Sequence, residues 1–108
     1  MKMNAEDQSL WNRLKAFHIG DETAIFGFEH RLARENGWTV DFAERVIEEY
    51  KCFMFLAVRS GHRVTPSEEI DQVWHLHLVY TQSYWKEFCE ETLEHEINHG
   101  PTKGGAAE

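Results

Sequence analysis

Between Thr39 and Ser60 the apolar residues recur at steps of three and four: Ala43, Val46, Ile47, Tyr50, Phe53, Met54 and Ala57. That spacing sets all seven on one side of an α-helix. Taken alone, the stretch "CFMFLAV" reads equally as a buried strand. Its continuity with the periodic residues before it favours one long helix, opened by Thr39 and stopped at Ser60-Gly61. An apolar face of this length has to be covered by other elements.

Three further segments supply the cover. Leu10, Trp11, Leu14 and Phe17 predict a helix over 5–17, broken at Gly20. A second is predicted over 21–35, with Asp21 as its cap and Ile25, Phe26, Phe28, Leu32 and Ala33 as its apolar set. Gly37 suits the left-handed residue that ends it. The fourth opens at "TPSE", with Thr65 as N-cap, Pro66 in the first turn and Glu68 closing a capping box. It is expected to run unbroken to about Leu93, and the chain to turn at Gly100-Pro101. Short connections make neighbours antiparallel. The predicted fold is all-α: one domain over 1–108, a bundle of about four helices, with 1–5 and 102–108 as flexible ends.

Composition narrows the partners. A net charge of −8 with no Lys/Arg cluster argues against nucleic-acid phosphates and acidic membranes. The longest apolar run, 52–58, falls far short of the ~20 residues that span a bilayer. The N-terminus "MKMNAEDQSLW" lacks the apolar core of a secretion signal, and Cys52 and Cys89 form no CxxC pair. A cytoplasmic protein with free thiols is the expectation.

The polar residues of the fourth helix carry the functional question. At about 100° per residue, Ile70, Val73, His77, Tyr84 and Phe88 share a core face, with His77 in its middle. Asp71 and His75 lie one turn apart on the edge of that stripe, whereas His75 and His77 diverge by about 160° and cannot share one ion on a regular helix. Asp71 with His75 is therefore a candidate ligand pair for zinc, iron or manganese, to be completed from elsewhere. In a variant, Asp71 only orients the His75 ring. The alternative is an i,i+4 Asp–His pair that links helices and holds no metal. His77 reads as a buried histidine satisfied across the bundle by Glu49 or Tyr50. Glu49, about 100° to one side of Tyr50, is a further candidate if partly buried.

"HEINH" matches the HExxH pattern literally, with His95, Glu96 and His99 in the places of ligand, base and ligand. Zinc proteases need it inside a rigid helix, and Gly100-Pro101 follows at once. His95 is therefore a weaker ligand candidate. His99, on the turn before Gly100-Pro101, meets Asp71 and His75 if the tail folds back; the alternative is an exposed C-terminal histidine, and the sequence does not separate the two.

The stretches "RLARENGWTVDFAERVIEEYKCFMFLA", "VTPSEEIDQVWHLHLVYTQSYW" and "HGPTKGG" together resemble the bacterial glycine-rich domain-containing protein-like family. That family is related to the domain of unknown function in plant glycine-rich domain proteins. The resemblance covers about 31–105 and rests on DxxWHxH (Asp71, Trp74, His75, His77) followed by His99, Gly100, Pro101, Gly104 and Gly105. It implies a small helical domain and brings no activity with it; His95 is not part of the motif.

Two functions follow as expectations. In the first, Asp71, His75 and His99 hold a divalent metal, in a small hydrolase-type enzyme, with Trp74 and Trp85 walling the site. In the second, the chain is a protein-interaction module whose flank of Trp11, Trp38 and Trp85 docks a partner, with structural histidines and no metal.

Overall fold

A computed structural model describes residues 3–20, 25–60 and 64–99. The all-α expectation holds: among these residues there are five helices and no strand, and no helix is long and apolar enough to cross a membrane. Asp21, Gly61 and the Gly100–Gly105 part of the motif lie outside the described residues, as does the end expected to be flexible at 102–108.

Helix α1 (Ala5–Ala16) is capped by Asn4, whose side chain accepts from the Asp7 N–H. Of the 1–5 stretch, Asn4 is thus the cap and Ala5 the first helical residue. Helix α2 (Phe28–Asn36) ends on Gly37 at φ 70°, the left-handed position a glycine fills without strain. Its beginning differs from the expectation. Gly27 is the cap, and Ile25 and Phe26 precede the helix, 83% and 75% exposed. A glycine is costly inside a helix and tolerated at its cap, so the apolar pair is left outside.

Helix α3 (Val40–Arg59) is the central element and packs against α1, α2 and α4. Thr39 caps it through the Phe42 N–H, and Ala43, Val46, Tyr50, Phe53 and Met54 are buried. Each large side chain so buried contributes about 1.5–3 kcal/mol. Lys51 is buried too, between α3 and the end of α1, where its ammonium donates to the Phe17 carbonyl at 2.8 Å and the Lys15 carbonyl at 3.4 Å. It caps the C-terminus of α1, the end at which a helix favours a cation.

Helix α4 (Glu68–Val79) starts two residues later than expected. Its cap is Ser67, whose hydroxyl accepts from the Ile70 N–H at 3.2 Å, in place of Thr65. This start places Glu68, Glu69 and Asp71 in the first turn, beside the positive end of the helix dipole.

The fourth helix is not continuous. It stops at Tyr80, with φ −87° and ψ 72°, and resumes as α5 (Gln82–Leu93), wound as a π-helix. Tertiary contacts hold the break. The Tyr80 ring meets Phe28 edge-on at 5.3 Å and lies under the Arg31 guanidinium at 5.6 Å. Helix α5 packs on α1 and α4 and closes with Glu94 in the left-handed region, φ 56°. Beyond it the chain returns along α4 without regular structure to His99.

Candidate metal centre

Asp71 and His75 project from the same face of α4, one turn apart, with the Asp71 Oδ2 to His75 Nε2 distance at 3.4 Å. The returning chain brings His99 to the other carboxylate oxygen, where its Nε2 lies 2.7 Å from Asp71 Oδ1. The two imidazoles sit 4.6 Å apart, centre to centre. One donor atom from each of the three residues falls within 4.8 Å of the others. Donors around an ion at about 2.0–2.2 Å stand roughly 3 Å apart, and at most about 4.2 Å. The two contacts to Asp71, one to each carboxylate oxygen, fall within that range.

His99 is the best-held member. Its side chain is 13% exposed, and its ring meets the Trp74 indole at 4.4 Å, near perpendicular. Trp74 donates its N–H to the Tyr84 hydroxyl at 2.9 Å, and Tyr84 donates in turn to the Ile97 carbonyl at 2.5 Å. Burial raises the Tyr84 phenol well above its ordinary value, so it remains a donor at any working pH. The solvent side of the group is left to His75, 53% exposed.

The other candidates lie elsewhere. His77 is fully buried among the rings of Phe17, Phe28, Tyr50, Tyr84 and Phe88. Its Nδ1 lies 2.7 Å from the Tyr50 hydroxyl and its Nε2 3.1 Å from Ser83 Oγ. The phenol donates to Nδ1, which leaves the proton on Nε2 to reach Ser83 and satisfies both ring nitrogens. Desolvation pulls His77 down from 6.5 to about 3, so the ring is neutral. Of the two partners expected for it, Tyr50 is the one found. Glu49 is exposed, because on that side of Tyr50 α3 faces water. The buried place beside Tyr50 goes to Lys51, on the side toward α1.

The HExxH reading fails on geometry. Leu93 is the last helical residue, so 95–99 forms no helix on which two histidines one turn apart share a face. His95 is exposed and lines a surface recess with Trp85, Cys89, Glu90, Glu94 and Glu96. Trp85 thus stands with His95, not beside Asp71. Another recess, between α1, α2 and α3, is lined by residues including Phe17, Phe28, Glu44 and Lys51. Asp71, His75 and His99 line neither.

Both cysteines are free: Cys52 is exposed, Cys89 is buried, and desolvation raises each thiol. Of the expected docking flank, Trp11 packs edge-on against Phe55 and Trp38 against Phe42, so both are engaged within the fold.

Two parts of this arrangement escaped the sequence reading. One is Tyr84 as the link between Trp74 and the return segment, which an unbroken helix forbids. Ten residues along a helix span about 15 Å, beyond the reach of a direct hydrogen bond. The other is Lys51, whose signal was a lysine set inside the apolar stripe of α3. Comparison with family models, with curated proteins and with solved structures finds no match to this chain.

Proposed function

We propose that this chain is a helical domain that holds one divalent metal ion on Asp71, His75 and His99, and that it belongs with the bacterial glycine-rich domain-containing protein-like family it resembles. The observation that carries the reading is the convergence of three donors from two parts of the chain, 24 or more residues apart, with donor atoms within 4.8 Å. The motif divides by role: Asp71 and His75 of DxxWHxH face the ion, while Trp74 and His77 serve the core. Two imidazoles and one carboxylate suit zinc or non-haem iron, and manganese with lower preference. Three protein donors and an exposed His75 leave a coordination position for water, which a bound ion would acidify into a hydroxide nucleophile, as a hydrolase-type reaction requires. In the metal-free protein the His99 N–H donates to Asp71, so binding displaces that proton.

The test is metal analysis of protein prepared without a histidine tag, then incubated with zinc, iron(II) or manganese and desalted. One ion per chain is expected for one of these metals. It should be lost in Asp71→Ala and in His99→Ala and retained in His95→Ala. Absence of stoichiometric metal under all three conditions refutes the proposal and leaves the group as an Asp–His cluster that ties the tail to α4.

A further inference from the structure

Several ties hold the return segment at the site. Among the described residues these include the His95 N–H to the Cys89 carbonyl at 2.9 Å, a hydrogen bond between the Cys89 thiol and the Ile97 backbone, the packing of Ile97 on the core, the Tyr84 bond to the Ile97 carbonyl, the His99 ring against Trp74, and His99 itself on Asp71. Resting on the metal-site reading above, we propose that Tyr84 is the positioning residue of that site: its hydroxyl fixes the backbone ahead of His99 and the Trp74 indole beside it, and so presets the third ligand.

Three observations support this. First, the hydroxyl is an addition to the packing. The Tyr84 ring is fully buried against Phe88 and His77, a place that phenylalanine would fill equally well. Its oxygen alone bridges two groups that belong to different parts of the site, accepting from Trp74 and donating to Ile97. Second, the carbonyl it holds is close to the ligand along the chain. Two residues extend at most about 7 Å, so fixing Ile97 confines the His99 backbone to a small volume. Third, the same bond orients the wall against which the ligand rests, since the indole whose N–H it accepts meets the His99 ring at 4.4 Å. Groups one step behind metal ligands typically set affinity by their orientation of the donors.

The experiment compares Tyr84→Phe with wild type in two measurements. The first is titration with zinc and with cobalt(II), read by a competing chelator and by cobalt absorption. Tyr84→Phe is expected to keep one ion per chain while Kd rises about 10- to 100-fold, the usual range for a group behind a ligand. The second is made without metal: nuclear Overhauser contacts between the Trp74 and His99 rings, present in wild type, should weaken or vanish in the variant. Phe88→Leu serves as the control for general loosening; it should lower the melting temperature and leave Kd and the ring contacts as they are. Should Tyr84→Phe fail to fold, Trp74→Phe removes the indole donor instead, and the same rise in Kd is expected.

An unchanged Kd with undiminished ring contacts overturns the inference while the metal site stands. Equal losses in Tyr84→Phe and Phe88→Leu also overturn it, because the hydroxyl then has no effect beyond packing. If wild type binds no metal, the site reading fails; the ring contacts still decide whether Tyr84 places His99.

Discussion

Buried His77 should make this fold lose stability in mild acid, by an amount the structure sets. The ring is enclosed by five aromatic side chains, and its pKa falls from 6.5 to about 3. In the unfolded chain it returns to the ordinary value and binds a proton below about pH 6.5. The unfolded state therefore holds more protons between these two values. The stability due to neutral burial is complete above the unfolded pKa and declines as pH falls toward the folded one. At about 1.36 kcal/mol per pH unit, the loss attributable to His77 is about 2 kcal/mol at pH 5 and about 3 kcal/mol at pH 4. Other groups titrate in the same range, so the measurement is a difference. Urea unfolding of wild type and of His77→Gln is followed from pH 7 to pH 4.5, at constant salt and with chelator present. Glutamine keeps an acceptor toward Tyr50 and a donor toward Ser83 but does not titrate. The variant starts less stable at pH 7, and the gap should close by about 2 kcal/mol at pH 5. Two curves that run parallel over this range would refute the burial argument.

Two further outcomes test the placement of polar groups. Lys51→Met keeps the apolar stem but leaves the Phe17 and Lys15 carbonyls without their donor, so equilibrium unfolding should show a loss of about 1–3 kcal/mol, where a surface lysine would give almost none. Ser67→Ala should cost about 1 kcal/mol through loss of the α4 cap, and Thr65→Ala close to nothing; the reverse order would return the helix start to Thr65.

The long α3, the Thr39 cap and the Gly37 stop were legible in the sequence because each depends on a few neighbouring residues. The pairing of Asp71 with His75 was legible for the same reason, since one helical turn fixes their common face. His99 was legible only as one of two alternatives, a tail folded back onto the pair or a histidine left in solvent, with the motif resemblance favouring the first; the structure brings it to Asp71. Where competing local signals were close in strength, the reading slipped. Thr65 and Ser67 are both competent caps, and the choice fell to the one that gathers three carboxylates in the first turn. Ile25 and Phe26 have the right spacing for a buried face, yet Gly27 starts the helix after them.

By itself, then, the amino-acid order determined the helical class, the extent of the central helix and the side of α4 on which a carboxylate and an imidazole meet. These follow from a repeat of 3.6 residues and from caps that act within one turn. Only the tertiary structure decided that the last helix breaks at Tyr80, that Ser83 reaches His77, that Lys51 goes inside and that Tyr84 grips the segment before His99. An unbroken helix would turn Ser83 about 120° away from His77. The contacts that hold the break come from Phe28 and Arg31, roughly fifty residues earlier, and no local pattern carries information across that separation.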